Sequence, residues 1–521
     1  MNATPPSRAP AASSGTVRWF LLLLFTFIFL LNAWVCDDAY ITFRSIDNFL
    51  HGYGLRWNVV ERVQSFTHPL WMMLMTLAAG LTREFFFTTI GLSLLLCLAM
   101  LLAWRGGAVL VLLLVSSKAF MDYSSSGLEN PLSYLLLALF FREFLRDGPA
   151  KDNRDRRRIG RLVLFATLAY LNRPDTILLY IPALLLVLAR ALRRHRARAA
   201  VPVLLGGLPA VAWHVFSVVY YGFFFPNTYY AKLAGAGVSG SVLRRQGWAY
   251  LANSLNFDFI TLFVTALALV LVFARRPRKA PTVCAGLGVL LYFVYVIRIG
   301  GDFMSGRFLA LPFLLGAFLV AREVASRRLG WVAFTLLALY NVIAPRVPIK
   351  TSRDYTRWDP DAHNGISDER AYYQDGASLL FYSPARPPPD NAYTRLALQA
   401  RGAPDKAFVS ETIGFAGYIV GPGKYIIDKL GLTDPLLARL PISKGSLANF
   451  QIGHFGRRLP LGYFESCAEG INRIEDPGVR EYYDGLLLIT RAPLFTPGRW
   501  KAIAEYNLGS KRRYKQAYLA D

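Results

Sequence analysis

Between residues 17 and 345 the chain is a succession of apolar runs separated by short basic clusters. That alternation constrains the fold more than anything else in the sequence. The runs 17–36, 85–104 and 200–220 reach the ~17–25 residues a helix needs to cross a bilayer. Further runs lie at 69–82, 107–120, 131–145, 258–274, 281–298, 307–321 and 329–345. The formal charge is +24, but it is unevenly spread: 34 Lys and Arg face 15 Asp and Glu before residue 346, and 24 face 19 after it. The excess sits at Arg146–Arg161, Arg190–Arg198, Arg275–Lys279 and Arg322–Arg328. Short basic loops between spans follow the positive-inside pattern. The charge therefore reports orientation and contact with membrane lipids, and does not point to nucleic acid. The expected class is a polytopic α-helical membrane protein with about 10–12 membrane helices.

The polar residues 1–16 read as a disordered cytoplasmic N-terminus, and 17–345 as the transmembrane domain. Residues 346–521, of mixed polarity with β-type runs such as Tyr425-Ile426-Ile427, read as an extracytoplasmic α/β-type domain entered past the Pro387-Pro388-Pro389 linker. Orienting the first run by Arg18 puts 37–68 outside. The parity of the basic clusters then requires one run before residue 146 not to cross. The fourteen-residue run 69–82 is the candidate. Residues 161–190 read as a shallow hairpin whose arms are short for full spans, with Asn172-Arg173-Pro174-Asp175 at its tip.

The loop 37–68 opens with Asp37 and Asp38 where an apolar run ends. Ionised carboxylates are costly near hydrocarbon, so a pair there is a candidate for chemistry. One of them acting as general base is the functional reading; oxygen ligation of a divalent cation is an option the pair leaves open; a helix N-cap is the plain alternative. Ile41, Ile46, Phe49 and Leu50 predict an amphipathic helix on the membrane surface, ended by His51-Gly52-Tyr53-Gly54, with Trp57 and Phe66 at headgroup level. Arg44, Lys232 and Arg307 are candidates for an anionic leaving group. Their plain alternatives are snorkelling for Arg44 and an ion pair with Asp302 for Arg307. His68, Glu129, Asn227, Tyr230, Asp302, Asp428 and Asp434 complete the candidate set, against structural readings as helix starts, turns and interface aromatics. All of these fall on the predicted outer side.

The blocks D-D-A-Y-I-T-F-R, H-G-Y-G-L-R-W-N, E-R-V-Q-S-F-T-H-P-L-W, S-S-G-L-E-N-P, N-R-P-D, F-P-N-T-Y-Y-A-K, G-G-D-F-M-S-G-R and I-D-K-L-G-L-T-D-P-L-L-A-R resemble the C-type (GT-C) glycosyltransferases. Within them they resemble most the terminal β-(1→2)-arabinofuranosyltransferases of the mycobacterial cell wall. The resemblance implies a multi-pass protein of the bacterial inner membrane, with an outer carbohydrate-binding half and a catalytic acid in the first outer loop, at Asp37 or Asp38. It also implies a polyprenyl-phosphate sugar donor and an external glycan or glycoprotein acceptor. Hexose transfer from the same carrier class is the nearest alternative. A lipid-linked-sugar transporter is the rival from another class; it fits poorly with the absence of internal repeats.

Overall fold

The computed structural model describes residues 15–146, 152–232, 238–323, 327–350, 364–384, 391–448, 451–509 and 511. The N-terminal fourteen residues and the triple-proline stretch lie outside them. The membrane half is helical throughout: α1 (Gly15–Asn32), α2 (Asp37–Leu50), α3 (Pro69–Thr82), α4 (Phe86–Trp104), α5 (Ala108–Ser116), α6 (Lys118–Asp122), α7 (Asn130–Phe144), α8 (Asp152–Asn172), α9 (Ile177–His195), α10 (Ala200–Tyr220), α11 (Asn227–Lys232), α12 (Gly240–Phe257), α13 (Phe259–Ala274), α14 (Ala280–Ile299), α15 (Ala310–Glu323) and α16 (Arg327–Ile343).

Among the described residues four stretches are long and apolar enough to cross a membrane by themselves: Gly15–Asn32, Phe86–Trp104, Pro174–Tyr220, which holds both α9 and α10, and Ala280–Ile299. A fifth is added if α12 and α13 form one broken span. That is fewer than the 10–12 expected, because many of the apolar runs fold as helices under 18 residues. Pro69 opens α3 at a position where its missing N–H costs nothing, and α3 keeps the fourteen-residue length read from the sequence.

Two expectations change. The arms of the 161–190 hairpin are not short: α8 has 21 residues and α9 has 19. The basic residues from Arg154 to Arg161 lie within α8, so a helix of about 30 Å follows from its length. By length and composition α9 lies in a candidate span while α8 does not, and the Asn172–Asp175 turn joins the two helices. The second change is α12, which the sequence reading passed over because its mixed polarity hides a span. It meets α13 at a bend of 108°. The bend is pinned by Asp258, which accepts from the Ala119 N–H at 2.7 Å and the Thr261 hydroxyl at 2.6 Å.

The C-terminal part contains α17 (Glu369–Ala377), α18 (Ala392–Gly402), β1 (Ala407–Ser410), α19 (Phe415–Val420), β2 (Tyr425–Asp428), α20 (Lys444–Ala448), α21 (Tyr463–Glu469), α22 (Pro477–Arg491) and α23 (Pro497–Leu508). β1 and β2 pair in parallel, Ala407 opposite Tyr425 through Ser410 opposite Asp428. Among the described residues the sheet is only these two strands.

This part shares its interior with the outer loops. Ile41, Trp57 and Ala231 pack with Ile413, Ile426 and Leu430 in one apolar cluster. The Asn58 amide bonds the Ile426 backbone twice, donating to its carbonyl at 3.0 Å and accepting from its N–H at 3.1 Å. Glu61 accepts from the Tyr425 hydroxyl at 2.8 Å. Trp57 is buried within these contacts and Phe66 against Trp213 and Tyr221, so neither sits at a lipid surface. Likewise α2 is not a surface helix: most of it is covered, with α19 and α3 among its neighbours.

Candidate active site

Glu129 is the centre of a buried cluster of charged side chains. It sits in the turn before α7, shaped by Gly127 at φ +84°. A Cβ at Gly127 would lie 2.6 Å from that of Ala39 and 2.9 Å from Val35, so only glycine lets this turn reach the start of α2. Three basic groups from three other elements converge on the Glu129 carboxylate: Arg307 at 3.5 Å, Arg173 at 3.4 Å and His68 at 3.4 Å. Each arginine has a second acid. Arg307 reaches Asp302 at 3.5 Å, and Arg173 reaches Asp175 at 3.0 Å. The expected Asp302–Arg307 pair is thus present, as one link of a longer chain. His68 also bonds the Thr42 hydroxyl on α2 through Nε2, at 2.8 Å.

Burial alone would raise the Glu129 carboxyl, but the surrounding cations outweigh it and hold it at about 2. At neutral pH the two arginines supply this effect, since burial pushes the His68 imidazole down and leaves it uncharged. Glu129 is therefore ionised under all ordinary conditions.

The two adjacent aspartates play different parts. Asp37 is buried and accepts from the backbone N–H groups of Gly414 at 3.1 Å and Phe415 at 2.7 Å. It joins α2 to α19, and a Cβ at Gly414 would collide with the Asp37 carbonyl. Burial pushes its carboxyl up to about 7 against the pull of these N–H groups. Asp38 is half-buried and has no hydrogen-bond or ion-pair partner among the described residues. Its charge acts on His68, Arg307, Glu369 and His454. Asp37 is thus committed to two backbone amides, while Asp38 is not. No group of three His, Cys, Asp or Glu side chains converges as a metal site among the described residues.

Lys232 ends α11. Its ammonium lies 5.9 Å from the centre of the Phe303 ring and has no ion-pair partner among the described residues. Phe303 meets the His454 ring edge-on at 4.3 Å. His454 is pushed down by burial and then by Lys232, and it feels Asp38 and Asp302. Lys232 and His454 thus border the same space as Asp38.

Five candidates are used elsewhere, each for a visible reason. Arg44 is buried over the Trp57 ring and donates to the carbonyls of Trp57 at 2.8 Å, Lys424 at 3.3 Å and Gly417. It straps α2 to the C-terminal part, with its guanidinium turned to these buried carbonyls. Asn227 donates to Gly431 at 2.9 Å and Asp434 at 2.9 Å, and accepts from Arg439 at 2.9 Å. Tyr230 lies under the same Arg439, 4.2 Å from its guanidinium. Asp428 closes its own turn on the N–H groups of Leu430 and Thr433, and Asp434 accepts from Leu436, Leu437 and the Tyr463 hydroxyl. Both acids are fully buried, so neither meets a sugar.

Sequence reasoning missed three residues of this site. Arg173 belonged to a turn whose supporting helices seemed too short to deliver it. Glu369 and His454 stand in no apolar context that would single them out; only the tertiary contacts place them.

No family model matches the chain. Over 400 residues it is 30% identical to the terminal β-(1→2)-arabinofuranosyltransferase of Corynebacterium glutamicum, covering 64% of this chain and 56% of that protein. Over 412 residues it is 28% identical to the protein of the same name from Mycobacterium tuberculosis, covering 65% and 62%. The chain resembles the terminal β-(1→2)-arabinofuranosyltransferases. It spans less than two thirds of the length of these curated relatives.

Proposed function

We propose that the chain transfers an arabinofuranosyl group from a polyprenyl-phosphate donor to a hydroxyl of an extracytoplasmic glycan or glycoprotein. The observation that carries this is Asp38: a half-buried carboxylate with no hydrogen-bond or ion-pair partner among the described residues, whose charge acts on His68 and Arg307 of the Glu129 cluster. The likeness to arabinofuranosyltransferases supports the sugar.

In this reading Asp38 accepts the proton of the acceptor hydroxyl as its oxygen bonds the anomeric carbon. The bond from that carbon to the phosphate oxygen breaks, through an oxocarbenium-like transition state. The leaving group departs as a phosphate anion and needs cations, not an acid. Lys232 and Arg307 supply positive charge where water is scarce and charge interactions are strong. Asp302 and His68 line the acceptor side, and Glu129 fixes Arg307 and Arg173. The lipid carrier reaches the site from the bilayer, and the acceptor from the outer aqueous face.

The test is purified protein with synthetic polyprenyl-phosphate arabinofuranose and a panel of acceptors, read by product mass. Asp38→Asn should abolish transfer while the variant inserts and purifies as wild type does. Near-normal transfer by that variant, or transfer from a polyprenyl-phosphate hexose and none from the arabinofuranose donor, would overturn this assignment.

A further inference from the structure

A cleft of about 380 Å³ opens where α7 ends, α8 begins and α9 ends. Small-molecule sites run to roughly 300–1,000 Å³, so it has room for one headgroup-sized ligand. The helix from Asp155 to Asn172 sets it about 25 Å from the turn that brings Arg173 to Glu129. It is therefore separate from the candidate active site. Its floor is buried and apolar, built from Phe144 of α7, Ile159 and Leu162 of α8, and Val187 and Ala191 of α9. Its more exposed rim carries four arginines, Arg158, Arg190, Arg193 and Arg194, and one acid, Asp155.

Three of these five charged groups are fixed. Arg158 donates to the carbonyls of Glu143 at 2.7 Å, Phe144 at 3.3 Å and Arg146 at 3.0 Å, which closes the end of α7 onto α8. Asp155 holds Arg194 at 3.1 Å and His195 at 3.0 Å, which fastens α8 to α9. Arg190 and Arg193 have no hydrogen-bond or ion-pair partner among the described residues. The neighbouring acid Glu143 is taken by Arg161 at 2.6 Å and lies 3.9 Å from Arg158. The lining thus keeps an excess of three positive charges, and the Glu143–Arg161 pair leaves that excess unchanged.

α9 lies in a candidate membrane span, and its apolar stretch from Ile177 to Ala189 ends at Arg190. Such a change from apolar to basic marks the level where hydrocarbon gives way to headgroups. Leu185 and Leu192 on the same helix are exposed. We propose that this cleft binds the phosphate headgroup of an acidic membrane phospholipid. Arg190 and Arg193 offer guanidinium forks to the phosphate oxygens, beside the Arg194 that Asp155 holds. The apolar floor and the exposed leucines meet the glycerol end and the acyl chains. A soluble phosphate would match the arginines and leave the floor bare. A zwitterionic lipid would bring a cation of its own to a place already in positive excess. The bound headgroup neutralises that excess and bridges α7, α8 and α9 at the end opposite the Glu129 cluster. None of this depends on the transfer reaction.

The test uses the full-length protein, delipidated in a neutral detergent, with phosphatidylglycerol and phosphatidylcholine of the same acyl chains titrated in and read by native mass spectrometry. Wild type should retain one phosphatidylglycerol at least roughly tenfold more tightly than phosphatidylcholine, the scale of one hydrogen bond to a charged group. The double change Arg190→Gln with Arg193→Gln should remove that preference. Arg196→Gln with Arg198→Gln takes the same charge from exposed residues outside the lining and should keep it. Equal binding of the two lipids by wild type, or equal loss in both double variants, would overturn the proposal in favour of diffuse surface charge. Displacement of the lipid by an equal concentration of inorganic phosphate would overturn it in favour of a soluble anion. Arg190 and Arg193 are exposed, so the first double variant should unfold at the wild-type midpoint when lipid is absent. A lowered midpoint there would make the two arginines structural and overturn the assignment as well.

Discussion

Replacing Glu129 with Gln removes the charge on which Arg307, Arg173 and His68 converge. The structure sets the size of the effect. A carboxyl with an ordinary value of 4.5 that is held at about 2 when folded contributes roughly 3 kcal/mol of stability at pH 7. Breaking a buried pair by removing one partner costs ~3–5 kcal/mol in general. The lower end applies here, because Arg307 and Arg173 keep Asp302 and Asp175. The sign with pH follows from the direction of the shift. A depressed carboxyl contributes fully above 4.5, and the contribution drains away as pH falls through that value towards 2, leaving about 1.4 kcal/mol at pH 3. Denaturant titration of wild type and Glu129→Gln in mixed micelles at pH 7, 5 and 3 reads this directly. The gap should be near 3 kcal/mol at pH 7 and less than half of that at pH 3. A gap below ~1 kcal/mol at pH 7, or one that does not change with pH, would refute the cluster as the site's electrostatic anchor.

Asp37→Asn should behave in the opposite way. Asp37 is raised to about 7, so its contribution is greatest below 3.8 and is lost as pH rises through 7. The stability gap between wild type and variant should therefore narrow from pH 5 to pH 8 in the same titration. Arg44→Met should cost several kcal/mol, about 1–3 for each buried carbonyl left without its donor; a variant that is fully stable but has a raised donor KM would return Arg44 to the phosphate. Lys232→Met should raise the donor KM by about tenfold, the scale of one charge-assisted contact, with an unchanged unfolding midpoint. A lowered midpoint with an unaltered KM would make Lys232 structural.

The sequence displayed the membrane half well, because hydropathy runs are local. The bounds of α3 and α10 were legible in the apolar runs 69–82 and 200–220. It displayed α12 and the length of α8 badly, because each mixes charge into a helix whose tertiary partners are invisible along the chain. The same divide runs through the site. Asp38, Glu129, Arg307 and Lys232 stood out as charges bordering apolar runs. Arg44, Asn227, Asp428 and Asp434 stood out equally, yet Arg44 and Asn227 bond backbone groups far away in sequence, as from Arg44 to Lys424, and Asp428 and Asp434 are taken up by their own turns. A conspicuous polar residue at a membrane boundary can hold a substrate or hold the chain, and only the identity of its partner separates the two.

That distinction decides which cation meets the phosphate. Arg307 is already shared by Glu129 and Asp302, and Arg173 by Glu129 and Asp175. An incoming anion must compete with those carboxylates for either guanidinium. Lys232 faces no such competitor among the described residues, and it shares its space with His454, on which Asp38 also acts. Under the proposed function Asp38 is the carboxylate offered to the acceptor's proton, and Lys232 the cation with least competition for the donor's phosphate. Arg307 adds charge there while it and Arg173 also hold the Glu129 turn. On that argument, losing Lys232 weakens donor binding at constant stability, whereas losing Arg173 weakens the scaffold first and the chemistry only through it.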